Sequence, residues 1–183
     1  MATKTFLTPQ QYFATTFERE PELVHGELVE RPWPNLIHGR TQQRLAVHLD
    51  GVGYCCTEVR MRLAEDLYRI PDVAVFEGKG PTDTVPSSPP LLVVEISSPD
   101  DCLDAMLQKL EEYRAWGVRH IWLVEPELKR IHVYDHGSLT AVSRLSYRSS
   151  ASRLPSRNYS AKRAARRLGR LRDSHLPGRW LLR

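Results

Sequence analysis

Residues 91–96 read Leu-Leu-Val-Val-Glu-Ile, a short run that is apolar at every position except Glu95. A run of this length and composition is typical of a central β-strand that is covered on both faces. Residues 121–124, Ile-Trp-Leu-Val, predict a second central strand. Over residues 101–116, apolar side chains recur at the helical period, and Gly117 follows as a C-terminal stop. The sequence therefore predicts two central strands joined by a helix.

The first fifty residues predict two more helices and a hairpin. Thr8 and Pro9 are typical of a helix start, and a second helix is expected over about residues 37–49. Between these helices, His25-Gly26 predicts the turn of a β-hairpin that ends at the proline-rich segment 32–34.

The remaining strands complete the predicted sheet. Residues 54–62 predict a single strand, on which Glu58, Arg60 and Arg62 share one face. Arg60 and Arg62 are either solvated there or contact phosphates beside a site. Residues 68–76 predict the next strand. Two runs near residues 131–134 and 139–145 predict a hairpin at the sheet edge. This order of elements predicts an α/β (α+β) fold with a mixed β-sheet flanked by helices.

The composition is that of a globular protein, with 41% hydrophobic residues in a chain of 183. That length suits one domain of ordinary size. Cys55, Cys56 and Cys102 are too few for a disulfide framework and lack metal-ligand spacing, so a reducing cytosol is expected. No apolar stretch approaches the roughly 20 residues of a membrane span, and the N-terminus lacks an apolar signal region. We expect a cytoplasmic protein without a membrane segment.

The charge is divided between two parts of the chain. Residues 1–147 carry 15 Lys/Arg and 21 Asp/Glu, a net charge of −6, whereas residues 148–183 carry 11 Lys/Arg and one acid, a net charge of +10. We predict one domain over residues 1–147, followed by a basic, Ser/Arg-rich tail. The composition of the tail favours disorder or a divergent reading frame over a dedicated arm that binds nucleic acid.

Two acids lie in segments that are otherwise apolar. Asp72 precedes the run Val-Ala-Val-Phe, and Glu95 lies within the central strand. A buried carboxylate must be paired, protonated or bound to a metal, so two such acids on nearby strands indicate one shared site. Many nucleases hold a divalent cation in this way. The alternatives are that Asp72 caps a turn after Pro71 and that Glu95 only forms an ion pair with Lys109.

The sequence resembles the PD-(D/E)XK nuclease superfamily, in which Pro71-Asp72 stands for the first acid and residues 95–97 stand for the acid-x-lysine element. It is most similar to the bacterial family named "putative restriction endonucleases", long catalogued as a domain of unknown function. The resemblance covers roughly residues 8–145. It is carried by five segments in the right order: Glu-Leu-Val-His-Gly-Glu at 22–27, Ile-Pro-Asp-Val-Ala-Val at 70–75, Leu-Val-Val-Glu-Ile-Ser-Ser-Pro at 92–99, Lys-Leu-Glu-Glu-Tyr at 109–113, and residues 117–126.

The resemblance implies a restriction-endonuclease-like fold in which Asp72, Glu95 and the Ile96 carbonyl hold Mg²⁺ or Mn²⁺. Ser97 occupies the usual lysine position, and the resemblance implies that Lys109 on the following helix supplies that amine instead. Further residues that the resemblance connects with the site are an acid of the early hairpin, Glu27, and the accessory residues His38, Ser97 and Tyr113. His38 has the alternative role of a residue at the start of a helix.

The function that follows is metal-dependent hydrolysis of DNA phosphodiester bonds. DNA is the expected partner, and cleavage of both strands would favour a homodimer. The rival hypothesis is a nuclease-fold protein with weak or no catalysis that acts as a nucleic-acid-binding or regulatory module. Ser97 and the acidic body favour this rival, whereas Asp72, Glu95 and Lys109 favour the enzyme.

Overall fold

The computed structural model of the protein describes residues 6–99 and 101–142. This part of the chain contains three helices and ten strands. In chain order they are α1 (Pro9–Ala14), β1 (Glu22–Val24), β2 (Glu27–Val29), α2 (Leu36–Leu49), β3 (Tyr54–Thr57), β4 (Met61–Ala64), β5 (Leu67–Arg69), β6 (Val73–Phe76), β7 (Leu92–Ile96), α3 (Leu103–Trp116), β8 (His120–Glu125), β9 (Arg130–Asp135) and β10 (Ser138–Ala141).

The strands form two sheets rather than one. The larger sheet has six strands in the order β10-β9-β8-β7-β6-β3, and the smaller has four in the order β2-β1-β5-β4. Strands β7 and β8 pair in parallel and are connected through α3, whereas the other described pairs are antiparallel. The predicted class, a mixed α+β fold with helices against the sheets, is confirmed.

The side chains of β7 are buried on both sides of the larger sheet. Val94 packs in one cluster with Leu49 of α2. Val93 packs in the other cluster with Leu110 and Tyr113 of α3. Since successive side chains of a strand point to opposite faces, Glu95 lies on the α3 side together with Val93. The central strand thus carries its acid towards α3.

Local signals in the sequence account for the ends of several elements. Thr8 caps α1 through a capping box with Gln11. Gly117 ends α3 in the left-handed conformation at φ 110°, which favours glycine because it has no Cβ. His25 and Gly26 form the tight turn between β1 and β2, with φ of 50° and 85°. These predictions are confirmed.

The prediction of one strand over residues 54–62 was wrong. The segment breaks at Glu58, which has a left-handed φ of 53°. Its N–H donates to the carbonyls of Pro71 and Asp72 at 3.2 and 3.3 Å, so it leaves the regular ladder. Strand β3 therefore belongs to the larger sheet and β4 to the smaller one.

The chain crosses between the sheets a second time at residues 70–72, between β5 and β6. Pro71 has no N–H for a ladder hydrogen bond, which favours a break in pairing. Asp72 comes directly before β6. It therefore lies at the junction of the two sheets and not inside one continuous strand.

Two further predictions concern residues that lie partly or wholly outside the described part of the chain. The basic tail, residues 148–183, and the end of the last predicted strand, residues 143–145, lie outside the described residues. Among the helices of the described part, none has both the length and the apolar character to cross a lipid bilayer.

Candidate active site

A cleft opens where the early hairpin, the start of α2, the ends of β5 and β7, and α3 meet. It encloses about 730 Å³, part of it open to solvent. Three buried acids lie at its floor, Glu22, Asp72 and Glu95, each no more than 6% exposed. Lys109 and Arg69 line the same cleft. Burying so many charges is costly unless they are paired. The ion pairs and hydrogen bonds of these residues therefore determine the charge of each group and which atoms can bind a ligand.

Glu95 has one carboxylate oxygen engaged by two groups of α3. Tyr113 donates its hydroxyl to Oε1 at 2.8 Å, and the Lys109 amine lies 2.9 Å from the same atom. Desolvation raises the pKa of Glu95 to about 7, and Asp72 adds to this rise, while Lys109 opposes it. A carboxyl of this kind exchanges its proton readily near neutral pH.

Asp72 is held by the neighbouring strand β7 and by helix α2. Its Oδ2 accepts the Ile96 N–H at 2.7 Å and lies 3.3 Å from His38 Nε2. Gln42 of α2 donates to the Asp72 carbonyl at 3.0 Å. The Asp72 carboxylate thus bonds to the neighbouring strand, in contrast to the alternative in which it caps a turn after Pro71.

Lys109 lies between two acids from different sheets. Its Nζ is 2.9 Å from Glu22 Oε1 and 2.9 Å from Glu95 Oε1. Burial lowers the pKa of Lys109, but Glu22 and Glu95 outweigh this effect and raise the pKa above its usual range. The amine is therefore a fixed positive charge at the floor of the cleft.

Glu22 belongs to the site although the sequence interpretation did not select it. Its Oε2 accepts from Arg69 at 2.8 Å, and its Oε1 accepts the Ile70 N–H at 2.8 Å. Burial raises the pKa of Glu22, yet Lys109, Arg69 and the Ile70 N–H together lower it below its usual value. The signal that could have found it is the same as for Glu95, namely an acid beside apolar residues in a short strand.

The structure does not bring Glu27 into the cleft. Glu27 pairs with Val24 next to the hairpin turn, whereas Glu22 pairs with Val29 two positions nearer the cleft. Both acids lie on one face of the hairpin because directly paired residues share a face. The early acid of the site is therefore Glu22, and Glu27 lies outside the residues that line the cleft.

Ser97, at the position where the resemblance implies a lysine, also lies outside the cleft lining. Its N–H donates to the Val124 carbonyl of β8 at 2.8 Å, and its hydroxyl donates to the same carbonyl at 3.4 Å. These bonds direct Ser97 to the neighbouring strand. Lys109 supplies the only lysine amine among the described residues that line the cleft.

Of the other accessory residues, His38 and Tyr113 both reach the acid pair. His38 is 7% exposed, and its contact with Asp72 raises its pKa although burial opposes this rise. Its Nδ1 is buried without a partner among the described groups. Tyr113 is fully buried, and its pKa is raised by desolvation and by the Glu95 charge.

The donor set fits a divalent cation that prefers oxygen ligands. The hydrogen bonds of the described residues engage Asp72 Oδ2 and Glu95 Oε1, which leaves the second oxygen of each carboxylate for a ligand. Because the N–H and C=O of a strand residue point to the same side, the Ile96 carbonyl also faces Asp72. Magnesium is bound by few protein groups and keeps several waters.

The fit is limited to those groups. Among the described residues, no three His, Cys, Asp or Glu side chains are grouped so that they could hold a metal ion. A site at this place would therefore consist of two carboxylates, one backbone carbonyl and water. Glu22 is already engaged by Lys109, Arg69 and Ile70.

Comparison with known proteins agrees with this fold. A crystal structure from Anabaena variabilis ATCC 29413, described as a putative nuclease belonging to DUF820, superposes with a TM-score of 0.66 and 20% sequence identity. The match covers 75% of this chain and 85% of that one. No protein of curated function matches the sequence significantly. Residues 9–158 match the family described as "Uma2: Putative restriction endonuclease", and the chain belongs to that family.

Proposed function

We propose that the protein is a metal-dependent endonuclease that hydrolyses DNA phosphodiester bonds. The observation that carries this proposal is the meeting of Asp72, Glu95 and Lys109 in one open cleft. Two acids with available oxygens and one fixed amine match the needs of phosphodiester hydrolysis, in which negative charge develops on the phosphate. Membership of the family supports the same conclusion.

The cation of the proposed enzyme is Mg²⁺ or Mn²⁺. Asp72, Glu95 and the Ile96 carbonyl are the groups that would hold it. When bound, such an ion supplies Lewis-acid chemistry and makes a water more acidic. The hydrogen bond from the Ile96 N–H to Asp72, at 2.7 Å, keeps the first acid against the end of β7, so both acids are oriented before any ligand arrives.

Lys109 supplies the positive charge that the strand position occupied by Ser97 does not. Its amine is 2.9 Å from Glu95, which places it beside the proposed ligands. There it stabilises negative charge on the phosphate and orients the attacking water. Tyr113, one turn further along α3, donates its hydroxyl to the same Glu95 oxygen at 2.8 Å and helps to fix it.

The test is DNA cleavage by the purified chain with Mg²⁺ or Mn²⁺, with EDTA as the blank. Asp72→Asn, Glu95→Gln and Lys109→Gln are each expected to lower the rate at least a hundredfold, because each removes a charge at the reacting centre. Asp104→Asn and Glu127→Gln, at two exposed positions, are matched controls that retain activity. Equal cleavage by all six proteins would assign the activity to a contaminant.

The rival hypothesis of a non-catalytic nucleic-acid-binding or regulatory module rests on Ser97 and on the net charge of −6 over residues 1–147. It predicts that the chain binds DNA without cutting it under any metal. The same assay decides between the two, provided that binding is measured on the same preparation.

Two further parts of the proposal concern the setting of the enzyme. The described cysteines are all free, which supports a reducing, cytoplasmic environment. A homodimer would let two sites cut the two strands of a duplex. Light scattering of the purified chain, with and without DNA, measures the oligomeric state directly.

A further inference from the structure

One wall of the cleft differs from its acidic floor. It is formed by the segment before β1 and by the segment between β2 and α2, from which Arg19, Glu30, Arg31, Pro32 and Pro34 line the cleft, so two basic side chains face one exposed acid there. Trp33 lies between the two prolines in the sequence, next to the residues that line the cleft but not among them. We call Arg19, Arg31 and Trp33 the arginine–tryptophan wall.

Trp33 is 68% exposed. A tryptophan presents a large flat ring, and a ring held beside basic side chains suits a ligand with a flat face, such as an unpaired base. The flanking Pro32 and Pro34 restrict the backbone, so little conformational entropy is lost when the ring is covered. The Arg19 guanidinium lies over the Trp33 ring, 5.3 Å from its centroid, and holds it in place.

The two arginines supply positive charge that the described carboxylates neutralise only in part. Arg31 lies 3.5 Å from Glu58 Oε2, while its side chain is 10% exposed. Arg19 donates to the Pro32 carbonyl, and among the described residues it forms no ion pair with a carboxylate. Burial lowers the pKa of Arg19, and the neighbouring charge of Arg31 lowers it further. Two guanidinium groups that line the same cleft and repel each other are stabilised by an anion that binds both.

We propose that the arginine–tryptophan wall is a binding site for single-stranded DNA, in which Arg19 and Arg31 hold a backbone phosphate and Trp33 stacks on an unpaired base. The proposal rests on the proposed nuclease function, because it takes the bound strand to continue into the acid floor. Grooves that bind single strands combine basic side chains with aromatic platforms in this way. A paired base inside a duplex cannot stack on a side chain without leaving its helix.

The positive charge of this site offsets the electrostatic repulsion expected between DNA and the acidic residues 1–147. Residues 1–147 carry a net charge of −6, which repels a nucleic acid at long range. The wall concentrates two positive charges beside the floor that bears Asp72 and Glu95. A strand held there presents a neighbouring phosphate to the acids. The expected substrate is therefore a strand with unpaired bases, such as an overhang, a gap or a loop.

The test measures binding of a short fluorescein-labelled oligothymidylate to the full chain by anisotropy, in EDTA so that no cleavage occurs. Trp33→Ala is expected to weaken binding about tenfold, the size of the loss of one stacked base, and Trp33→Phe to restore most of it. Leu36→Ala, at a neighbouring side chain that is 87% exposed, is the matched control and leaves the affinity unchanged. Binding of the corresponding duplex is expected to be the same in all four proteins.

The arginines are tested by salt. Arg19→Gln combined with Arg31→Gln is expected to weaken binding and to flatten the dependence of affinity on salt concentration, since fewer counterions are released. Arg119→Gln combined with Arg130→Gln removes the same charge at exposed positions outside the cleft lining and is expected to leave the salt dependence unchanged. The tail is present in every variant, so its contribution cancels.

Tryptophan fluorescence tests the site in the folded wild type, so its result does not depend on how well a variant folds. The difference in tryptophan emission between the wild type and Trp33→Phe isolates Trp33, and this emission is expected to be quenched when the oligonucleotide binds. Unchanged emission, or an equal loss of single-strand and duplex affinity in Trp33→Ala, would overturn the site.

The two proposals fail separately. Cleavage that is lost in Asp72→Asn but unchanged in Trp33→Ala would support the nuclease proposal and contradict the single-strand binding site. Single-strand binding that is weakened in Trp33→Ala, together with no cleavage in the presence of any metal ion tested, would support the binding site and the non-catalytic alternative.

Discussion

Glu22 Oε1 and Lys109 Nζ lie 2.9 Å apart, and both groups are largely buried. An acid of the early hairpin and an amine of α3 thus form one ion pair across the cleft floor. Arg69 and the Ile70 N–H fix Glu22 in turn. The position of the proposed catalytic amine is therefore set by a residue that itself has no place among the proposed metal ligands.

Glu22→Gln is expected to leave Lys109 and Arg69 without a full negative charge. Breaking a buried ion pair by removing one partner typically costs about 3 kcal/mol, so the free energy of unfolding should fall by about that amount in urea titrations. Cleavage should slow mainly through kcat, because the amine is displaced while the DNA contacts remain. Glu65→Gln, at an exposed position outside the cleft lining, is the control.

A double-mutant cycle separates the pair from its surroundings. If Glu22 and Lys109 act through each other, Glu22→Gln combined with Lys109→Gln costs less than the sum of the two single changes. Additive losses would mean that the 2.9 Å contact contributes little on its own.

Glu95 makes the stability of the metal-free protein depend on pH. Burial and neighbouring acids raise its pKa from 4.5 to about 7. A group whose pKa is raised by folding favours the folded state fully at low pH and loses this contribution as pH rises through the folded value. Ionisation of Glu95 should therefore lower the free energy of unfolding by about 3 kcal/mol as the pH rises from 4.5 to 7. Urea titrations of the wild type should show a decline that Glu95→Gln lacks.

Added Mg²⁺ should reverse that decline. A cation held by Asp72 and Glu95 needs ionised carboxylates, so the rise in Tm caused by Mg²⁺ or Mn²⁺ should grow between pH 6 and pH 8. The rise should be absent in Asp72→Asn and Glu95→Gln and intact in Asp104→Asn. A rise of equal size in all four proteins would show that the ions act elsewhere.

Tyr113→Phe removes the hydroxyl that donates to Glu95 at 2.8 Å. The loss of this bond should cost about 1 kcal/mol and raise the pKa of Glu95 further, because a hydrogen bond to the ionised form is lost. The pH at which cleavage reaches half of its maximum should therefore move upwards. Tyr134→Phe, which removes a 2.8 Å hydrogen bond to Glu111, should leave that pH unchanged.

Gly53 tests the packing of the chain before β3 against the end of β6 that lies away from Asp72. A Cβ at this position would lie 2.3 Å from the Phe76 carbonyl, whereas a Cβ at Gly51 would meet nothing within 4 Å. Gly53→Ala should thus lower the free energy of unfolding by about 2 kcal/mol through overpacking, and Gly51→Ala should leave it near the wild-type value. Equal effects would mean that β3 moves away from β6 without cost.

The sequence predicts the parts of the fold where one local signal dominates. The apolar run of β7, the helical period of α3 and the stop at Gly117 are such signals, and they place Glu95 and Lys109 on neighbouring elements. The break at Glu58 has no comparable signal, because its cause is a pair of carbonyls from a distant segment. Alternation along a strand does not reveal which sheet the strand joins.

The choice between Glu22 and Glu27 shows the same limit within the site. Both acids lie on short strands and on one face of the hairpin. Which of them reaches the cleft depends on the pairing of β1 with β5, where Leu23 faces Tyr68. That register brings Glu22 beside Arg69. The pairing of two strands distant in sequence cannot be predicted from the local sequence around either acid.

The crossing of the chain between two sheets at residues 70–72 has a consequence for how activity arises during synthesis. Glu22 comes from the smaller sheet, Glu95 from the larger one, and Asp72 from the junction. A chain in which only one sheet has formed therefore lacks part of the charge arrangement that the proposed chemistry needs. If the protein cuts DNA, its full activity would therefore appear only after both sheets have docked, because Glu22 of the smaller sheet holds Lys109 beside Glu95 of the larger one.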